Sequence, residues 1–157
     1  MIKTLLASAM LVSNIGLAWF ENQFATYDKM QKELHELAEP GFVEYKSSEL
    51  LASHLESHGF KVERGVAGIP TAFVASYGSG SPVIGILAEY DALPGMSQDT
   101  VAFKKAAVEG GAGHGCGHNL LGTGSVAGAV AISKWLAEGH KGTVKLFGCP
   151  AEEGGGG

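Results

Sequence analysis

Cysteine is scarce in this sequence: two residues in 157, too few for the disulfide framework that staples small secreted folds. Charge is scarce as well, at 17% of residues, and no Lys/Arg cluster exists to displace counterions from a phosphate backbone. With a net charge of −5 and a pI near 5.6, that argues against a nucleic-acid surface. No segment reads as a membrane span, which needs about 20 apolar residues, and neither a repeat nor a linker divides the chain. What is present is apolar and rich in glycine. Hydrophobic residues make up 45% and mean hydropathy is +0.13, so the chain is not disordered and is long enough to bury one core. The 24 glycines are about twice the usual share, and 15 of them fall in the last 48 positions. They do not recur every third residue, which excludes a collagen-like chain.

At the N-terminus, Lys3 precedes the apolar stretch Thr4–Ala18, with small residues Gly16 and Ala18 placed as in a cleavage site. Residues 1–18 are therefore expected to be a signal peptide, and the mature protein periplasmic or secreted. The alternative is a first apolar helix of a cytoplasmic protein. From Trp19 to Glu39, apolar residues Phe20, Phe24, Tyr27, Met30, Leu34 and Leu37 recur at helical spacing until Pro40-Gly41. Ser47 or Ser48 is expected to cap a second helix running to about His58, with Leu50, Leu51 and Leu55 inward. His54 and His58, four apart, read as a helix face more readily than as metal ligands. Strands are expected at Phe60–Arg64, Thr71–Tyr77, Val83–Ala88 and Thr143–Gly148, the third being apolar enough to be covered on both faces. Gly78-Ser79-Gly80 reads as a hairpin-type turn, 92–117 as a long loop, and Asn119–Glu138 as a helix of small residues. This order implies an α/β three-layer sandwich with a mostly parallel central sheet.

Three segments carry candidate chemistry. In Gly113-His114-Gly115-Cys116-Gly117-His118-Asn119, an extended backbone would turn His114, Cys116 and His118 to one side. Thiolate and imidazole suit Zn²⁺ and other late first-row metals. A Cys116–Cys149 disulfide in a non-catalytic module is the competing reading. Cys149-Pro150-Ala151-Glu152-Glu153-Gly154 follows a strand, where open α/β sheets place ligands. Of two adjacent carboxylates, one can bind a metal and the other can take a proton from the attacking water. Ala88-Glu89-Tyr90-Asp91-Ala92-Leu93-Pro94 also ends a strand, and a carboxylate there could hold the outer nitrogen of a ligating histidine.

In this order the three segments resemble the amidohydrolase branch of the aminoacylase/carboxypeptidase metallopeptidases, in particular its aminobenzoyl-glutamate hydrolase type. Ala38-Glu39-Pro40-Gly41-Phe42 and Val66–Val74 resemble the same group, so the likeness runs from about Trp19 to Gly157. The resemblance implies that Cys116, His118 and Glu153 are ligands of a dinuclear metal centre, the cysteine bridging. It implies that Glu152 is the general base and that Asp91 steadies the site from behind the ligands. It leaves His114 near the site rather than on a metal. Many relatives carry Arg-Ala-Asp-Met-Asp where this chain has Leu87-Ala88-Glu89-Tyr90-Asp91, and Asp where it has Asn119.

The function implied is hydrolysis of the amide bond of an N-acyl or aminobenzoyl amino acid, with two divalent ions (Zn or Mn, Co as a further choice). A small-molecule substrate is the expected partner, with neither nucleic acid nor membrane, in a homo- or hetero-oligomer. Members of the group run to about two domains, with further histidine ligands and a dimerising lid after the Glu-Glu pair. Residues 19–157 are thus expected to be the N-terminal part of the catalytic domain, with little or no activity alone.

Overall fold

A computed structural model describes the backbone from Ile2 to Gly156 and the side chains from Trp19 onward. The elements are α1 (Ile2–Leu37), α2 (Tyr45–Ser57), β1 (Lys61–Arg64), β2 (Phe73–Ser79), β3 (Val83–Glu89), α3 (His118–Ala137) and β4 (Gly142–Cys149). The leader expected over 1–18 lies outside the residues whose side chains are described. Beyond it, Tyr27, Met30 and Leu34 of α1 are buried as the helical spacing requires, while Phe20 and Phe24 are exposed.

The second helix begins earlier than its serines indicated. Glu39, from the turn before α2, receives the backbone amides of Lys46 (3.2 Å) and Ser47 (2.8 Å) and the Ser47 hydroxyl (2.7 Å). A carboxylate from outside the helix thus satisfies the free amides of its first turn, and Ser47 and Ser48 are buried within it instead of capping it.

The sheet has the order β1-β2-β4-β3. Only β3 and β4 are parallel, joined through α3; β1 pairs antiparallel with β2, and β2 with β4. The α/β class stands, but the expected mostly parallel sheet is a mixed one among the described residues. The hairpin-type turn expected at Gly78–Gly80 is not formed: Gly78 and Ser79 belong to β2 and pair with Thr143 and Gly142, the chain crosses to β3 through 80–82, and β4 lies between the two strands. Alternate residues Phe73, Ala75, Ala88, Val144 and Leu146 face a core completed by Leu34, Leu51, Leu55, Val126 and Val130 from the three helices. By length and composition α3 could cross a bilayer, but it packs as a core helix against α1, β3 and β4.

All three helices cover one face, so two of the three expected layers are seen among the described residues. On the other face Leu87 is 61% and Phe147 36% exposed, and among the described residues no strand pairs with the outer edge of β3. An apolar, unpaired edge strand templates pairing with another chain. The 157-residue chain is therefore expected to self-associate at micromolar concentration, and Leu87→Lys to shift it towards monomer in size-exclusion chromatography. Identical elution of the two chains would refute this.

Packing of α1 on α2 also sets a pH dependence. His54 Nε2 lies 3.2 Å from the buried Tyr27 hydroxyl, and burial, assisted by the nearby His58, pushes His54 down to about 4. The unfolded chain takes up this proton near pH 6.5, so between those values it binds more protons than the folded chain. Stability is then lost as pH falls through that window, by about 2 kcal/mol from this group. Urea midpoints at pH 7 and pH 4.5 should differ less for His54→Phe than for the parent chain.

Candidate metal centre

Parallel pairing in the register Glu89↔Cys149 ends β3 and β4 side by side. The residues that follow, 89–91 and 150–153, emerge at one carboxyl edge of the sheet, where α/β folds place their ligands. The loop of residues 92–117 brings α3 back to the same edge. Gly117 takes the left-handed conformation (φ +86°) that opens the helix, and His118 is its first residue. Gly122, one turn on, lets α3 approach the Glu89 carbonyl to a distance that any Cβ would block.

His118 is 2% exposed and stands at the centre of the cluster. Its Nδ1 lies 2.9 Å from Asp91 Oδ1 and 3.1 Å from the Asp91 carbonyl oxygen. Both partners are acceptors, so Nδ1 carries the proton and donates, the tautomer in which a neutral ring keeps its lone pair on Nε2. Asp91, itself buried, also receives the Glu153 amide on Oδ2 at 3.0 Å. One carboxylate thus fixes both the imidazole and the backbone of the Glu-Glu turn.

Around the free nitrogen stand Glu89 Oε2 at 3.1 Å, Glu152 Oε2 at 3.6 Å and Glu153 Oε1 at 3.9 Å. Donor atoms of Cys116, His118 and Glu153 lie within 4.8 Å of one another, as do those of Glu89, His118 and Glu152. Both sets draw on the same imidazole. Since Nε2 has one lone pair, these sets overlap in one centre and do not form two separate sites. Contact with Glu153 pushes the Cys116 thiol up from its usual range, with Glu152 and Glu89 adding to the effect. Among the described residues no Lys or Arg pairs with any of these groups. A lone pair and three carboxylates crowded together repel unless a cation lies among them, and thiol, imidazole and carboxylate are donors that suit a divalent metal. The residues present fit such an ion.

Cys116, His118, Glu152, Glu153 and Asp91 are therefore gathered at one place. The extended-strand geometry expected for His114, Cys116 and His118 is not what gathers them. Gly117 breaks the alternation, and His114 turns away, its Nε2 donating to the Leu34 carbonyl oxygen at 3.0 Å. Burial pushes His114 down, and its Nδ1 has no partner. Cys149 is not joined to Cys116; both are free thiols. Asn119, where many relatives carry Asp, donates its amide to Gln31 Oε1 (3.0 Å) and ties α3 to α1. Glu89 was not singled out from the sequence beyond its strand-end segment, yet its carboxylate is the nearest to His118 Nε2. The signal available was its position two residues before Asp91 at the end of β3, since alternate residues share a side.

Residues 85–157, which contain every member of this cluster, match the profile of peptidase family M20/M25/M40. Over those residues the chain is similar to a domain of that family. Likeness to relatives extends further towards the N-terminus than that match. The chain is 51% identical over 133 residues to a p-aminobenzoyl-glutamate hydrolase subunit of Escherichia coli (strain K12), covering 83% of this chain and 28% of that protein. It is 30% identical over 132 residues to hippurate hydrolase of Campylobacter jejuni, covering 83% of this chain and 33% of that one. The crystal structure of the Bacillus subtilis YXEP protein, described as a dinuclear metal-binding peptidase of the M20 family, superposes with a TM-score of 0.71 at 29% identity. It covers 85% of this chain and 36% of the other. The chain thus spans about a third of the length of these relatives.

Proposed function

We propose that residues 19–157 form the N-terminal share of the catalytic domain of a metal-dependent amidohydrolase that cleaves N-acyl or aminobenzoyl amino acids, with p-aminobenzoyl-glutamate as the substrate class. The observation that carries this is the convergence of Cys116, His118 and Glu153 on one centre with Glu152 at its open side. The likeness to the p-aminobenzoyl-glutamate hydrolase subunit of Escherichia coli supports the substrate class and assembly with a second kind of subunit. The apolar N-terminal segment supports a periplasmic or secreted location.

Cys116, His118 and Glu153 would hold the metal, with the remaining ligands of a two-ion centre lying beyond this segment. Bound there, divalent ions supply Lewis acidity, lowering the pKa of a water and polarising the scissile carbonyl. The chain's own part is proton handling and orientation. Glu152 is 46% exposed on its side chain, and among the described residues no hydrogen bond holds that side chain, so its Oε2 is free to meet substrate. It takes a proton from the attacking water and gives it to the departing amide nitrogen, so that one water and one amide become an acid and an amine. Asp91 keeps the His118 proton on Nδ1 and so keeps Nε2 directed at the metal.

The test is metal content, thiol titration and turnover of p-aminobenzoyl-glutamate by the full-length protein. Two metals per chain, free thiols and hydrolysis are expected, with little or no turnover by residues 1–157 alone. No metal and no free thiol would overturn the proposal in favour of a disulfide-bonded structural module.

A further inference from the structure

The Glu-Glu turn begins at Ala151, whose backbone is left-handed (φ +55°, ψ +35°) although it carries a Cβ. A non-glycine residue in that region is strained and persists only where its surroundings hold it. The grip on its oxygen comes from the turn itself, since Gly154 and Gly156 donate their amides to the Ala151 carbonyl at 3.2 and 2.9 Å. The grip on its amide comes from far away in sequence. Glu44, at the entrance to α2, accepts the Ala151 N–H on Oε1 at 2.7 Å and the Thr71 hydroxyl on Oε2 at 3.0 Å. Glu44 is fully buried, and among the described residues no Lys, Arg or His pairs with it. A carboxylate out of water with only neutral donors is an expensive way to stabilise a core.

Thr71 extends the connection. Its carbonyl oxygen accepts the Tyr90 hydroxyl at 2.6 Å, and Tyr90 lies between Glu89 and Asp91. The two segments that bring carboxylates to the centre, 89–91 and 152–153, are therefore tied through one buried pair, Glu44 and Thr71. Next to it, Gly41 packs so closely on Ala151 that a Cβ there would meet the alanine Cβ at 2.9 Å.

We infer that Glu44 is a positioning residue for the Glu152–Glu153 pair: by holding the Ala151 amide it sets the turn that aims one carboxylate at the metal and the other at the substrate. This rests on the amidohydrolase reading for its catalytic consequence but not for its structural one. What matters in this account is the reach of an acceptor to Ala151 N–H, not the charge. Glu44→Gln keeps that reach and removes the charge, and a Thr71 hydroxyl can rotate to accept from the new amide. Glu44→Asp keeps the charge and falls one methylene short.

The experiment compares the full-length parent, Glu44→Gln and Glu44→Asp. It measures Zn²⁺ affinity by chelator competition, hydrogen exchange of the Ala151 amide, and kcat and KM with p-aminobenzoyl-glutamate. For Glu44→Asp, the Zn²⁺ Kd should rise by about 10-fold or more, the Ala151 amide should exchange faster, and kcat should fall with KM little changed. Glu44→Gln should stay within about threefold of the parent in Kd and kcat. The reverse order, or equal loss in both variants with Ala151 exchange unchanged, would overturn the inference. If the parent protein binds Zn²⁺ but does not hydrolyse the substrate, the functional proposal fails, and affinity and exchange still decide the role of Glu44.

Discussion

Replacing Glu152 with Gln is expected to lower kcat for amide hydrolysis by about 10²–10⁴-fold with metal content unchanged. The expectation rests on how differently the chain treats two adjacent carboxylates. The amide of Glu153 is anchored on Asp91, and its carboxylate sits close to both Cys116 and His118 with 21% of the side chain exposed. Glu152 is 46% exposed, and its Oε2 lies 3.6 Å from His118 Nε2. Gln keeps the shape of Glu152 and cannot accept the proton of the attacking water. Steady-state kinetics of the full-length enzyme with metal analysis of the same preparation checks this. Turnover within tenfold of the parent would exclude Glu152 from proton transfer, and metal lost in step with activity would assign it to ligation instead.

Asp91→Asn should weaken metal binding by about 10- to 100-fold, the range found when a group behind a ligating histidine is changed. The Asp91 side chain accepts from two directions, His118 Nδ1 and the Glu153 amide, and an Asn side chain offers one oxygen in place of two. Whichever way the amide turns, one N–H meets another N–H. If the amide faces the imidazole, the His118 proton is driven to Nε2 and the lone pair turns away from the site. Chelator competition gives the affinity, and ¹⁵N chemical shifts of the His118 ring give the tautomer. Unchanged affinity with unchanged tautomer would show that the Asp91 carbonyl oxygen, 3.1 Å from Nδ1, suffices to orient the ring.

The secondary structure was largely legible because helices and strands leave a period in the sequence. Tyr27, Met30 and Leu34 announce the buried stripe of α1, and the alternation of β4 matches its covered face. The edges were less legible where long-range contacts set them. Nothing local to Tyr45 says that α2 starts there, because its first-turn amides are satisfied by Glu39. Strand order was hidden for a related reason: the glycines at 78 and 80 signal a turn but not which strand lies beside β2, and Gly78 itself pairs with β4. The apolar composition of β3 indicated cover on both faces, and among the described residues one of those faces is open.

For the centre itself the division is sharper. Residue chemistry marked the three segments, and their resemblance to a known family named Cys116, His118, Glu152, Glu153 and Asp91 within them; each segment ends a strand or opens a helix. Only the tertiary structure decided how these groups are aimed. The parallel register of β3 and β4 brings Glu89 into the cluster, the left-handed Gly117 takes His114 out of it, and Asp91 chooses the tautomer of His118. Glu44 reaches Ala151 across 107 positions. A donor's identity is a property of one residue, but the direction of its lone pair depends on hydrogen bonds from segments far away along the chain, and those exist only once it has folded.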